Sequence, residues 1–248
     1  MTVQMNSGIS VDCVVFGFDG KDLKVLLIKR KYPVEGLSAE DPKLPGAMIL
    51  ENETIPQAAS RVLEESTGLS QIYLKQVGIF SDPDRVSPEE LDWICKYHNI
   101  KTERVVTVGY YALVKLTDRI ISYTLRRGAS WVRVDDIHYL VMDHKKILAE
   151  ALLALQKEMI LSPIAFELLP KKFTISQLQN LFSAVTGIGM DNRNFRKKIL
   201  SSGLLKATGE KERGVAHKPA MYYEFNRSSY KKAMKERTGL EFINNWAY

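Results

Sequence analysis

Apolar residues recur with two different periods along this chain, and the places where one period gives way to the other mark its elements. Residues 9–18 and 24–30 are β-rich apolar runs joined across Asp19-Gly20, a dipeptide that accepts the positive φ of a tight turn, so they predict a β-hairpin. After a loop over 33–46, the apolar positions Ile55, Ala59, Val62 and Leu63 fall at i, i+4, i+7 and i+8, which predicts an amphipathic helix stopped by Gly68. Strands are expected near 74–80, 104–116 and 130–134, with an inserted helix over 88–100. Ile147, Ala151, Leu152 and Leu155 then carry a long helix over 144–159. Strands, helix, strands and helix in this order predict an α+β or α/β domain with a mixed sheet over residues 1–158.

From residue 159 the pattern turns mostly helical. Residues 173–185 read as an amphipathic helix begun by Thr174 or Ser176, Gly187 and Gly189 make a turn, and Asp191 caps a basic helix that runs to Ser202 and ends at Gly203. Two short β segments, 204–208 and 220–225, flank a polar loop over 209–219. Helix, turn, helix and hairpin in series predict a winged helix-turn-helix over residues 159–248.

Charge separates the same two regions. Residues 1–158 hold 20 basic and 22 acidic side chains, whereas residues 159–248 hold 15 and 7, so the whole excess of positive charge belongs to the second region. Such segregation points to one domain that meets a polyanion. In the basic helix Phe195 and Ile199 define a buried side, which puts Arg193, Asn194, Lys197 and Ser201 opposite and Arg196 and Lys198 on the flanks. That face suits a major groove, where Arg reads guanine and Asn adenine. Ser176 and Gln177 on the preceding helix, and Lys211, Arg213, His217 and Lys218 on the wing, are expected against phosphates or the minor groove.

Composition narrows the class. With 45% apolar and 26% charged residues and no run of about 18 apolar positions, a disordered, collagen-like or membrane-spanning chain is excluded. The start is polar and no secretory signal is expected, and Cys13 and Cys95 are too few for a disulfide framework and lack the spacing of a zinc site. A cytoplasmic protein without metal or cofactor is the expectation.

The stretch from Leu44-Pro45-Gly46-Ala47 through Glu53 to Arg61-Val62-Leu63-Glu64-Glu65-Ser66-Thr67-Gly68-Leu69 resembles the Nudix box. Anchored on Gly68, it sets Ala47 at the first glycine, Glu53 at the first glutamate, Arg61 at the arginine, and Val62, Glu65 and Ser66 at the three metal-binding carboxylates. Those positions, spaced i, i+3 and i+4, share a helix face where three carboxylates would hold Mg²⁺ or Mn²⁺. Here two of the three are lost, so no catalytic residue and no enzyme activity are expected. Trp131-Val132-Arg133-Val134, the Asp143-His144 pair opening a long helix, and 218–225 resemble the Nudix-related transcriptional regulators, and most of all the arabinose-responsive repressors of gut Bacteroidetes.

The resemblance implies a Nudix-like α/β/α sandwich followed by a C-terminal winged helix, a homodimer on a double-stranded DNA operator, and L-arabinose as effector, with no membrane partner. In a metal-free cleft, Asp12, Lys43, Arg61, Glu65 and Asp82 or Asp84 are candidates to bond sugar hydroxyls, and Tyr110, Trp93 or Trp131 to cover the ring. Two alternatives stay open: an ADP-ribose-responsive regulator of NAD metabolism, and an active nucleotide pyrophosphohydrolase with an accessory nucleic-acid module.

Overall fold

The computed structural model describes residues 5–30, 40–70, 72–216 and 218–235. The chain divides into two compact units, Met1–Gly17 with Lys24–Ala154, and Phe18–Leu23 with Leu155–Tyr248.

β1 (Met5–Phe18) and β2 (Leu23–Lys29) are neighbours as the hairpin pattern predicts, and the turn between them is fixed by Asp19, whose Oδ1 accepts the N–H groups of Lys21 (3.0 Å) and Asp22 (2.8 Å). β1 is the middle strand of the order β3-β2-β1-β6-β5, in which β3 is Pro42–Lys43, β6 is Val106–Lys115 and β5 is Tyr73–Phe80. β4 (Gly46–Leu50) pairs antiparallel with β1, and β7 (Ser130–Arg133) with β2.

One face of this sheet presents Val11, Cys13 and Val15 of β1 and Val108, Tyr110, Ala112 and Val114 of β6 to α1 (Ile55–Thr67), whose Ala58, Ala59, Val62 and Leu63 fill the layer. On the alternate positions Val14, Phe16 and Tyr111 are also buried. Burial on both faces is the reason β1 reads as a continuous apolar run and not as an alternation. Burying a side chain such as Leu63 contributes about 1.5–3 kcal/mol, so α1 is held chiefly by this face.

α1 starts where a capping box between Thr54 and Gln57 satisfies its first donors, and it ends at Gly68, which takes a left-handed φ of 70°. α2 (Pro88–His98) is capped in the same way by Ser87 and Glu90, and packs Trp93 and Ile94 against Met48 and Val105. α3 (Asp118–Arg126) is an element that the apolar pattern did not reveal. Its nine residues give only Ile120 and Thr124 to the interior, too short a repeat for a periodicity argument. α4 (His144–Leu161) is the long helix expected after Asp143.

In the second unit, a 3-10 turn over Pro163–Glu167 leads to α5 (Ile175–Thr186), which is capped by Thr174, and Ser176 stays exposed. Asp191 caps α6 (Asn192–Ser201) by accepting the Asn194 N–H at 2.8 Å. Phe173, Leu178, Leu181, Phe195, Ile199 and Tyr223 are buried in this unit, with the Phe182 and Phe195 rings meeting edge to face at 5.8 Å. β8 (Leu205–Lys211) runs three residues beyond the expected end, because a bulge lets Lys211 pair with Met221 of β9 (Met221–Phe225). α7 (Arg227–Lys235) follows. Phe242, Ile243 and Trp246 of the C-terminal segment lie outside the described residues.

Candidate effector cleft and nucleic-acid interface

The loop and helix of the degenerate box are held by one ion pair. Arg61 donates from Nε to Glu53 Oε2 (3.0 Å) and from Nη2 to Glu53 Oε1 (2.6 Å) and the Met48 carbonyl (3.2 Å), while Glu53 Oε1 also accepts the Leu50 N–H at 2.8 Å. The Arg61 hydrogen bonds hold the Glu53 carboxyl below its ordinary range, and Glu53 in turn raises the pKa of Arg61. Arg61 therefore braces the loop.

The face meant for three carboxylates carries something else. Val62 is buried in the core at 3% exposure, and Ser66 donates its hydroxyl to the Val62 carbonyl at 2.6 Å. Glu65 is solvent-exposed, its carboxylate 3.6 Å from Arg61 Nη1. Among the described residues no group of three His, Cys, Asp or Glu side chains could hold a metal ion. A divalent cation does not fit here: one exposed carboxylate already near a guanidinium replaces the anionic cage such an ion needs.

Behind the loop lies a buried polar cluster. Ser10 of β1 and Thr107 of β6 share a hydrogen bond of 2.7 Å, and Arg85 reaches Thr107 Oγ1 (2.7 Å) while forming a two-pronged pair with Asp143 (2.6 and 2.9 Å). His144 Nδ1 accepts the Leu44 N–H at 3.0 Å, which leaves the proton on Nε2, 3.5 Å from Asp12 Oδ2. Burial lowers the His144 pKa, so the ring is neutral at pH 7. Asp12 also explains Gly46: a Cβ there would stand 1.8 Å from Asp12 Oδ1.

The expected ligand residues thus fall in different surroundings. Arg61 and Glu65 are neighbours, and Lys43 on β3 sets its Nζ 5.6 Å from the centroid of the Trp93 ring. Asp12 is buried beside His144, and Asp82 is exposed and paired with Lys146 at 2.5 Å. Tyr110 is a core residue under α1, at 5% exposure, and presents no ring to a cleft. Trp131 donates Nε1 to Thr124 Oγ1 at 3.1 Å. Sequence reasoning missed Arg30, Arg85 and Glu90, all buried charges. Their signal was weak but present: Arg30 closes an apolar strand, and Glu90 shares the inward face of α2 with Trp93 at i+3.

In the second unit α6 exposes Arg193, Asn194, Arg196 and Lys197 and buries Phe195 and Ile199, with Lys198 half-buried. Arg213 and Lys218 are exposed in the segment between β8 and β9, whereas His217 lies outside the described residues. Gln177 differs from expectation: its Oε1 accepts the Thr174 N–H at 2.9 Å, so its side chain caps α5.

A family model described as the NUDIX domain matches residues 6–151, more than half of the chain. The chain belongs to the Nudix family. A second model, the NrtR DNA-binding winged helix domain, matches residues 165–225 of this Nudix chain. The molecule is thus a Nudix-like α/β domain with a mixed sheet followed by a winged helix, the architecture of a Nudix-related regulator. The ADPR responsive transcriptional repressor NtrR of Acinetobacter baylyi is 26% identical over 227 residues, covering 90% of this chain and 83% of its own. An ADP-ribose pyrophosphatase of Methanocaldococcus jannaschii is 37% identical over 82 residues, 33% of this chain and 44% of its own. The crystal structure of Shewanella oneidensis NrtR with a 27mer DNA superposes with a TM-score of 0.71 at 24% identity, over 90% of this chain and 95% of that one, which shows a shared fold. Among the described residues no helix is long and apolar enough to cross a membrane.

Proposed function

We propose that this Nudix chain is a DNA-binding transcriptional repressor, acting in the cytoplasm as a homodimer on a double-stranded operator, whose Nudix domain binds a small effector without cleaving it. One observation carries the reading. The helix that would hold a catalytic cation has lost its donors to the core and to its own backbone, while α6 exposes Arg193, Asn194, Arg196 and Lys197 in the same chain. The first feature argues for binding over turnover. The second suits a major groove, with recognition helices of a dimer about 34 Å apart to read successive turns.

The relatives favour an ADP-ribose-type effector. L-arabinose is implied by the sequence resemblance alone, whereas the Acinetobacter repressor responds to ADP-ribose by name. Calorimetry with both compounds decides between them: heat with L-arabinose and none with ADP-ribose would reverse the assignment. For the DNA interface, Arg193→Ala weakens binding to the DNA flanking the protein's own gene by about tenfold, and Lys197→Ala lowers the salt slope by about one. Anisotropy titrations at several salt concentrations read both, and unchanged affinity in the two variants would defeat the α6 assignment.

A further inference from the structure

Arg30, directly after β2, is 2% exposed, and its Nε, Nη1 and Nη2 atoms are buried without a hydrogen-bond partner among the described residues. A guanidinium has five donors in a fixed fork and cannot shed its proton, so a buried one without acceptors is an exception that calls for a cause. Its carboxylate neighbour does not supply it. Glu90 of α2 stands 3.7 Å from Arg30 Nη2, but Glu90 Oε1 accepts the Met142 N–H at 2.8 Å and Oε2 the Ser87 N–H at 3.1 Å. Glu90 is therefore engaged in holding the backbone around α2, and Met142 is kept at a φ of +52°, a conformation rarely adopted by a side chain of its size.

Two cations meet at one indole. The Arg30 guanidinium carbon lies 5.1 Å from the Trp93 ring centroid and Lys43 Nζ 5.6 Å from it, while Tyr97 stacks on Trp93 at 5.2 Å. Glu90 is the carboxylate paired with the guanidinium there, at 3.7 Å. Burial first, and the charge of Lys43 second, push His98 at the end of α2 down to about 4, so it adds no further positive charge at pH 7. An indole face tolerates a cation but cannot accept five N–H bonds in directed geometry.

We propose that Arg30 and Lys43, set beside Trp93 by α2, form a subsite for one anionic group, a phosphate or a carboxylate, of the effector. The proposal rests on the effector-binding reading above and deepens it: α2 is a recognition element, and an anionic group balances the charge of Arg30, which the hydroxyls of a neutral sugar do not. The fork of Arg30 suits the two-pronged geometry that carboxylates and phosphates share.

The full chain is titrated by calorimetry with ADP-ribose and ribose 5-phosphate, with arabinonate as the carboxylate arm and L-arabinose as the neutral one. Wild type is expected to bind the phosphate-bearing pair, the carboxylate, or both, and Lys43→Ala and Arg30→Met each to weaken that binding by about 10- to 100-fold. Thermal melting supplies a second readout. Because Arg30 lacks acceptors, ligand-free Arg30→Met is expected to melt no lower than wild type, whereas a structural arginine would cost stability when removed. Binding of the anions at wild-type strength by Lys43→Ala would overturn the subsite, also if Arg30→Met fails to fold, and so would binding of L-arabinose alone. Operator binding by wild type without ligand is measured alongside. Retained operator binding with unaltered ligand affinity in the variants sinks the subsite alone, whereas a wild type that holds no DNA sinks the repressor reading.

Discussion

Arg61 and Arg30 belong to the same unit and each has a glutamate near, yet they are held in opposite ways. Arg61, partly open to solvent, spends its donors on two oxygens of Glu53 and the Met48 carbonyl. Arg30, fully enclosed, lies against an indole and stands 3.7 Å from a carboxylate that accepts two backbone N–H groups. A satisfied arginine is part of the scaffold, and removing it strands its partner. An unsatisfied one costs the empty protein free energy, which a ligand can return. Buried charges in this domain thus sort by what they lack and not by how deep they lie.

Arg85 gives the strongest test of that distinction. It is nearly as enclosed as Arg30, with its side chain 3% exposed, but it is bound to Asp143, Thr107 and the Val105 carbonyl. Replacing it with Met leaves the Asp143 carboxylate uncompensated at the start of α4. A loss of about 3–5 kcal/mol follows, seen as a lower urea midpoint. Equal stability in Arg85→Met and Arg30→Met would remove the contrast.

A smaller effect is expected at the box. Arg61→Met removes charged hydrogen bonds to a partly exposed glutamate, costing about 2 kcal/mol at neutral pH. The pH dependence identifies the partner. Glu53 has a folded pKa below its unfolded value near 4.3, so its contribution is complete above that value and disappears as the pH falls through the folded one. Stability of wild type therefore drops below about pH 4.5 more steeply than that of Arg61→Met, the two curves converging in acid. Parallel curves would show that Arg61 acts through some other contact.

The reading by period was good where repeats are long. The hairpin, α1, α4, α5 and α6 announce themselves by apolar spacing and by caps such as Thr174 and Asp191. α3 did not, because nine residues with two buried positions hold too little periodicity. At the site, the Val62 and Ser66 losses were legible in the motif, since they concern residue type alone. Tyr110 was not, because a tyrosine on a strand can face either layer and only packing under α1 decides. Arg30 left only a weak mark, a charge closing an apolar strand, for a related reason: its neighbours Trp93, Glu90 and Lys43 come from elements far apart in sequence, and a missing hydrogen bond is not written in a sequence.

The smallest effect belongs to Glu65. It is the one carboxylate left at the three cation-binding positions, so a functioning hydrolase would need it most, yet its side chain is 60% exposed and its nearest charge, Arg61 Nη1, is 3.6 Å away. An exposed pair of this kind contributes about 0–1 kcal/mol. Glu65→Gln is therefore expected to leave the urea midpoint, ADP-ribose affinity and operator binding essentially unchanged, and to alter no turnover, because ADP-ribose with Mg²⁺ gives no phosphate-containing product in either form. Product formation by wild type that stops in Glu65→Gln would restore the enzyme. It would also change the meaning of the contrast between the two arginines, since Arg61 would then brace a working metal site and Arg30 would bind substrate.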